Sequence, residues 1–168
     1  IYTIRVIAID KAGAMSKVTN TVNIDSRPPV AISSGKIKLL TPKDTMWIYG
    51  SPVWSPDGEK IAFHSNEGGT IDICVMSSDG KNINRITRNN NIEMNPDWSP
   101  DGSMIAYQSL PVSNDKETWD IWIMKSDGGD AKQITFDAGS CMNPSWSPDG
   151  SALAFESNRD GYVNIMLI

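Results

Sequence analysis

Cysteine, histidine and clustered basic residues are scarce in this chain of 168 residues. Its two cysteines, Cys74 and Cys141, are too few for a disulfide framework or a metal cluster, and we expect no bond between them. The 15 basic residues are outnumbered by 20 acidic ones, which gives a formal net charge of -5. Nucleic acid is therefore not an expected partner, because phosphate binding requires clustered lysine and arginine. No apolar run approaches the roughly 20 residues that span a bilayer, so we expect no membrane insertion.

The start of the chain lacks an initiator methionine and is already a strand-like run, IYTIRVIAID. We therefore expect a piece of a longer protein or a mature fragment. Cys74 lies in the apolar segment ICVM, which predicts a small buried side chain. Cys141 lies in AGSCMNP, which has the composition of a loop.

An internal repeat is the dominant feature of the sequence. Three segments align without a gap: PVWSPDGEKIAFHS, PDWSPDGSMIAYQS and PSWSPDGSALAFES. Their tryptophans lie 44 and then 48 residues apart, at Trp54, Trp98 and Trp146. A second echo follows each segment as IDICVMSSDG, WDIWIMKSDG and the shorter VNIMLI. Short apolar-threonine steps form a third echo at Leu40-Thr41, Ile86-Thr87 and Ile134-Thr135. A period of about 40 to 50 residues with four short strands is typical of a propeller blade.

The turns and strands inside the repeat support this interpretation. Each Ser-Pro-Asp-Gly step predicts a tight turn, because proline fixes the first turn position and glycine accepts a positive φ. The recurring aspartates of these turns are therefore expected to serve turn geometry, and we predict no metal site. Within the second echo Ile73 and Val75 alternate with Cys74 and Met76, so both faces of that strand are apolar. A strand that is apolar on both faces is buried on both, as in stacked blades.

These motifs together resemble the TolB-like family of β-propeller repeats, a branch of the WD-repeat-like propellers. The resemblance covers roughly residues 36–168 and implies an all-β fold with three four-stranded blades, at about 42–87, 88–135 and 136–168. The third copy departs from the pattern, because Asn164 replaces an aspartate and the chain reaches Ile168 before the Ser-Asp-Gly turn.

Three blades cannot close a ring, since propellers typically have about four to eight. We expect the propeller to be partial, or to be completed by a second copy into the six blades that the resemblance implies. In that second case the orphan strand KIKLLT, at 36–41, would supply the missing fourth strand of another copy's third blade.

The first 30 residues have a different pattern. Residues 2–9 alternate as a strand, a turn follows at 10–13, and a second strand is predicted from about Lys17 to Ile24. This hairpin resembles the last two strands of a bacterial immunoglobulin-like or cadherin-like module, so we predict a separate unit over 1–30 and the propeller over 31–168. Asp10 and Asp25 resemble the linker ligands of cadherin-like modules, so the sequence leaves open whether calcium binds near them.

The segment that enters the first strand of each repeat is the candidate binding site. In a propeller the first strand of each blade lines the central channel. We expect polar side chains to ring one mouth of that channel, where the resemblance implies that a partner peptide or small ligand binds: Ser51, Asn95, Asp97, Asn143 and Ser145. The alternative is that these groups only satisfy backbone groups and water.

Two sets of tryptophans have different expected roles. The set that recurs with the repeat is predicted to be buried between blades: Trp54, Trp98 and Trp146. The set that breaks the repeat is a candidate for surface recognition: Trp47, Trp119 and Trp122.

The single histidine, His64, occupies a position that holds Gln108 and Glu156 in the other repeats. A position that accepts all three residues suggests an exposed or blade-edge slot rather than a catalytic base. No G-x-S-x-G segment is present either. We therefore predict neither catalysis nor a cofactor.

The leading functional hypothesis is a non-catalytic binding or scaffold module of an extracytoplasmic protein, whether periplasmic, cell-surface or secreted, that binds other proteins. A first alternative is the propeller that gates a larger prolyl-oligopeptidase-like hydrolase. A second alternative is a structural subunit of a surface layer or fibre that assembles by strand exchange.

Overall fold

A computed structural model describes residues 2–9, 15–22, 37–43, 46–112, 118–136 and 139–168. Every regular element among these residues is a β-strand, as the sequence predicts. The chain divides into two compact units, Ile1–Lys38 and Leu39–Ile168. In the first unit β1 (Tyr2–Ile9) pairs antiparallel with β2 (Met15–Val22). The likeness of this hairpin to an immunoglobulin-like module stays a prediction, and Asp10 and Asp25, where calcium was considered, lie outside the described residues.

The second unit contains three consecutive antiparallel sheets, each built from strands that neighbour one another in sequence. The first sheet consists of β3 (Tyr49–Trp54), β4 (Lys60–Ser65), β5 (Asp72–Ser77) and β6 (Asn84–Arg85). The second consists of β7 (Ile92–Trp98), β8 (Met104–Leu110), β9 (Asp120–Lys125) and β10 (Lys132–Gln133). The third has three strands, β11 (Cys141–Trp146), β12 (Leu153–Ser157) and β13 (Asn164–Leu167). We refer to these sheets as blades 1, 2 and 3.

The Ser-Pro-Asp-Gly turns form as their chemistry predicts. In blade 2 the Ser99 hydroxyl donates to Asp101 Oδ1 at 2.6 Å and accepts from Met104 N at 2.9 Å. Gly102 takes a φ of 73°, and its N–H donates to the Ser99 carbonyl. The Ser99 hydroxyl and the amide of Ser103 hold the pKa of Asp101 at about 2. The aspartate is therefore part of the turn.

The fourth strand of each complete blade begins two residues before its Ile-Thr step. The amides of Ile86 and Thr87 both donate to the Ile73 carbonyl, at 2.9 and 3.4 Å, so they leave the regular ladder. The Thr87 hydroxyl accepts from Ile73 N at 2.9 Å and donates to the buried Asp72. Thr135 repeats both bonds with Ile121 N and Asp120 in blade 2. The Ile-Thr step thus holds the start of the third strand.

The third strand of blade 1 is buried on both faces, as its composition predicts. Ile73 and Val75 lie in the apolar cluster between blades 1 and 2, whereas Cys74 and Met76 lie in a separate cluster on the other face of blade 1. The prediction that Cys141 lies in a loop is wrong, because this residue begins β11 and is fully buried. Both cysteines are free thiols.

The repeated tryptophans mark the contact of each blade with the preceding one. Trp98 is 7% exposed and shares its cluster with Ala62 and Ile73 of blade 1. Trp146 is half-buried against the corresponding cluster of blades 2 and 3. The prediction that all three are buried is wrong for Trp54, which is 56% exposed. The reason is that no blade precedes blade 1 in the described part of the chain.

The segment before blade 1 repeats a contact made by a fourth strand. A Cβ atom on Gly128 would lie 2.4 Å from the Ile86 carbonyl oxygen, and one on Gly80 would lie 2.9 Å from that of Leu40. Leu40 therefore packs against blade 1 as Ile86 packs against blade 2. Residues 37–41, within the predicted orphan strand, form no strand ladder themselves.

Candidate functional site

The first strand of every blade is interrupted at the same place. Pairing with the second strand shifts between Gly50 and Val53 in blade 1, between Met94 and Asp97 in blade 2, and again between Met142 and Ser145 in blade 3. Inside each bulge one non-glycine residue has a left-handed backbone, with φ of 46° to 52°: Ser51, Asn95 and Asn143. Such conformations are costly for these residues and concentrate where a side chain must be aimed.

The three left-handed residues are joined by hydrogen bonds across blades. The Ser51 hydroxyl donates to Asn95 Oδ1 at 2.6 Å. Asn95 Nδ2 donates to Asn143 Oδ1 and also to Gln108 Oε1, the latter at 3.0 Å. We call this row of Ser51, Asn95 and Asn143 the polar ladder. It lies where the first strands of successive blades contact one another, which brings together three of the five predicted mouth residues.

The polar ladder is supported from behind by the second strands. Gln108 Oε1 accepts the backbone N–H of Asn143 at 2.9 Å, and His64 Nδ1 accepts that of Asn95 at 3.5 Å. His64 and Gln108 are both buried, which corrects the prediction of an exposed or blade-edge slot. Burial lowers the pKa of His64, which favours the neutral imidazole that can accept this bond.

His64 also restricts its own blade. A Cβ atom on Gly50 would lie 2.4 Å from His64 Nε2, so only glycine fits against the ring. His64 is thus a positioning residue for the bulges of blades 1 and 2. Sequence reasoning missed this role, although histidine, glutamine and glutamate share one property that indicates it, a side-chain hydrogen-bond acceptor.

The other two predicted mouth residues behave differently. Asp97 Oδ2 accepts the backbone N–H of Trp146 at 2.7 Å, so this carboxylate is used in joining blades 2 and 3. Burial raises the pKa of Asp97 above its usual value. Ser145 is exposed at the equivalent position of blade 3. Asp97 therefore satisfies a backbone N–H of the next blade, which is the alternative to ligand binding that the sequence also allowed.

The tryptophans proposed for surface recognition do not form one surface. Trp47 is 44% exposed in the segment before β3. Trp122 is half-buried and packs against the cluster between blades 1 and 2. Trp119 is half-buried, and its carbonyl accepts the N–H of Cys141. Trp47 alone of the three has the exposure that recognition requires.

The polar ladder is neutral and built from amides and a hydroxyl. It can therefore donate and accept hydrogen bonds but offers no charge of its own. Within the described residues, no group of three or more histidine, cysteine or acidic side chains could hold a metal ion. The described part of the chain also contains no helix with the length and apolar character needed to cross a membrane. Amide-bearing ligands, including polypeptide backbones, match such a site best.

Comparison with known proteins agrees with the architecture. A family model described as the TolB beta propeller domain matches residues 30–167. The curated Tol-Pal system protein TolB of Anaeromyxobacter dehalogenans (strain 2CP-C) is 43% identical over 44 residues, which are 26% of this chain and 10% of that protein. The chain therefore spans only about a tenth of this relative.

Solved structures give a wider likeness. The crystal structure of TolB from Acinetobacter baumannii has a TM-score of 0.60 and 27% identity, covering 71% of this chain and 29% of that one. A puromycin-hydrolyzing peptidase of Mycobacterium tuberculosis has a TM-score of 0.61 at 20% identity, covering 72% of this chain and 20% of that one. At that identity the second likeness concerns the fold alone.

Proposed function

Because the chain belongs to the TolB β-propeller domain family, we propose that it is a non-catalytic protein-binding module of an extracytoplasmic protein. The polar ladder is the proposed binding site, and its ligand is an extended polypeptide segment of a partner protein. The observation that supports this most is the recurrence of a left-handed, non-glycine residue at one position of three consecutive blades.

The geometry of the polar ladder favours a peptide over a charged ligand. Ser51 donates to Asn95, and Asn95 in turn donates to the amide oxygen of Asn143. The amide nitrogen of Asn143 has no acceptor among the described residues. The exposed Asn143 amide can therefore donate to a carbonyl of a ligand. A peptide backbone offers carbonyls at regular intervals, and neutral amides bind them without the desolvation cost of a buried charge.

An extracytoplasmic location is part of the same proposal. The matched relative is named as a component of the Tol-Pal system, and the hairpin β1–β2 has the sequence pattern of surface-protein modules. A scaffold that carries one module beside a propeller would present the polar ladder to partners at or beyond the cell envelope.

Selection from a random peptide library displayed on phage tests the proposed binding site. We expect the wild-type chain to enrich peptides that the Asn143→Ala and Ser51→Ala variants bind at least about tenfold more weakly, since each loses hydrogen bonds of the site. The matched control is Val112→Ala, an exposed change outside the polar ladder, which should leave binding unchanged.

The opposite pattern would contradict the proposal. If selected peptides bind all three variants as tightly as the wild type, the polar ladder is not the binding site. If no peptide is enriched at all, the module does not bind extended polypeptides.

The hydrolase-gating and surface-layer interpretations remain predictions. A hydrolase segment on the same full-length polypeptide would favour the first, because the propeller would then stand beside an active site. Ordered polymers in electron micrographs of the purified chain would favour the second.

A further inference from the structure

We propose that His64 makes the polar ladder sensitive to pH. A neutral imidazole holds the middle residue of the ladder in its left-handed conformation, whereas a protonated one releases that residue, and the ligand with it. The loss of the ligand rests on the proposed function, because it concerns the same binding site. The release of the middle residue does not, since it is measured in the free chain.

The imidazole of His64 lies in the junction between blades 1 and 2, where the side chain is only 5% exposed. Its Nδ1 accepts the backbone N–H of Asn95, the middle residue of the polar ladder, at 3.5 Å. A ring nitrogen can accept a hydrogen bond only while it carries no proton. Protonation would therefore set two N–H groups against each other in a buried place, which is unfavourable for both donors.

The other edge of the ring is fixed by blade 1. Gly50 is the partner of His64 in the pairing of β3 with β4. A Cβ atom on Gly50 would lie 2.4 Å from Nε2 and 2.8 Å from Cε1, so the ring lies close against the glycine backbone. The ring therefore has little room to withdraw from Asn95 inside its own blade. Once it is protonated, either His64 must leave its place or the backbone of Asn95 must move.

Asn95 is the member of the polar ladder that connects the other two. Its side chain accepts the Ser51 hydroxyl at 2.6 Å and donates to Asn143 Oδ1 and Gln108 Oε1. Its backbone has a φ of 52°, a conformation that persists only where the surroundings hold it. The N–H that His64 accepts belongs to this same residue, so loss of that bond frees the backbone from which both side-chain links start. One protonation therefore disrupts the whole ladder.

The corresponding position of blade 2 cannot respond to pH in this way. Gln108 Oε1 accepts the N–H of Asn143 at 2.9 Å, as His64 accepts that of Asn95. A side-chain amide keeps its acceptor oxygen whether the solution is neutral or mildly acidic. Of these two equivalent contacts, only the one between blades 1 and 2 uses an acceptor that titrates.

The titratable groups on the strands packed around β4 leave the protonation of His64 to burial. Lys60 lies at the far end of β4, and Tyr107 on β8 stays neutral because burial raises its pKa. The remaining groups are engaged elsewhere: Asp72 with Arg85, Glu93 with Asn89, Asp97 with the N–H of Trp146, and Tyr49 with Glu67. Burial lowers the pKa of His64 below 6.5. The neutral ring thus prevails at neutral pH and is lost as the pH falls through the folded pKa.

Nuclear magnetic resonance of the free chain tests the release of Asn95 without any ligand. As the pH is lowered from neutral, the backbone amide signal of Asn95 should shift with the same midpoint as the ring signals of His64. In His64→Gln, which gives blade 1 the acceptor of blade 2, the Asn95 signal should stay in place. An Asn95 signal that ignores the titration of His64, or that moves equally in the variant, overturns the proposal. So does a ring that stays neutral until the chain unfolds, which circular dichroism detects.

Moving the histidine to blade 2 provides a second variant. Met94 pairs with Gln108 as Gly50 pairs with His64, so an imidazole in place of Gln108 needs a glycine opposite it. In the double variant Met94→Gly/Gln108→His, the amide signal of Asn143 should acquire a pH titration. Met94→Gly alone is the matched control and should leave that signal insensitive to the same pH change. A folded double variant in which Asn143 does not respond contradicts the proposal.

Binding of a selected peptide measures the consequence for the site. A peptide without histidine or acidic residues should bind the wild type at least about tenfold more weakly once His64 is protonated. The same peptide should bind His64→Gln equally well at both pH values. Parallel weakening in the two proteins would show that His64 does not control the site. If no peptide is selected, the proposed function fails, whereas the amide signals still decide whether His64 controls the ladder.

Discussion

At the residue scale, burial in this protein depends on which neighbour a side chain meets rather than on its type. Trp54 and Trp98 occupy the same position of successive blades, yet within the described residues a preceding blade covers only Trp98. His64 and Gln108 show the converse, because polar side chains are buried where a backbone N–H of the next blade needs an acceptor.

Trp98→Ala tests the contribution of one such contact. We expect it to lower the free energy of unfolding by ~3–5 kcal/mol, since it leaves a cavity between blades 1 and 2. Trp47→Ala, the matched change of an exposed ring, should cost less than ~1 kcal/mol. Urea denaturation followed by circular dichroism measures both. A similar loss for the two variants would contradict the assignment of Trp98 to the interface.

A pH-dependent prediction concerns Glu93, a buried carboxyl in β7. Asn89 donates to its Oε1, while its Oε2 has no partner among the described residues. Burial raises the pKa of Glu93 above its usual value. The folded chain therefore holds this proton more tightly than the unfolded chain, and stability is lost as pH rises through the folded pKa.

Glu93→Gln should remove this loss, because the amide stays neutral. We expect the variant to be more stable than the wild type at neutral pH and to differ little at a pH below the unfolded pKa of about 4.3. Thermal melts at a series of pH values provide the measurement. Glu59→Gln, at an exposed position of the same unit, is the control. A wild type whose stability rises across this interval relative to the variant would refute the argument.

At the scale of the element, local chemistry made the strands and turns predictable. The Ser-Pro-Asp-Gly turns and the threonine steps depend on contacts within one blade, and the strand that is apolar on both faces follows from composition alone. Two expectations failed for a shared reason, because the exposure of Trp54 and the burial of His64 both depend on the adjacent blade. The third failed within one blade, because Cys141 pairs with Ser157 of β12 and so belongs to β11. The polar ladder was predicted in part, since its positions follow from the repeat but its left-handed backbone does not.

Two turn glycines, Gly128 between β9 and β10 and Gly161 between β12 and β13, separate the contact between blades from backbone strain. Gly128 and Gly161 have similar φ values, 93° and 85°, but a Cβ atom on Gly128 would meet the Ile86 carbonyl, whereas no atom of the described residues lies within 4 Å of one on Gly161. Both alanine variants should suffer the left-handed penalty of roughly 1–2 kcal/mol. We expect Gly128→Ala to lose measurably more in chemical denaturation. Equal losses would show that the blades yield without cost at this contact.

At the scale of the whole molecule, each of the three described blades contacts only the blade that precedes or follows it in sequence. Stability in such an array is a sum of units and interfaces, and the middle blade has two interfaces. Amide hydrogen exchange should therefore be slowest in β8 and β9 and faster in β13. Mass spectrometry of peptides after exchange reports this order. Faster exchange in β9 than in β13 would contradict it.

The bulges of the polar ladder carry a consequence for chemical ageing. Asparagine side chains deamidate when the backbone nitrogen of the following residue attacks the amide carbon, and a proline in that place has no N–H to lose. Asn95 and Asn143 are both followed by proline, at Pro96 and Pro144. The aspartates of the turns are instead followed by glycine, the neighbour that favours isomerisation. Over long storage, the side-chain amides of the polar ladder should therefore deamidate more slowly than the Asp-Gly steps of the turns isomerise.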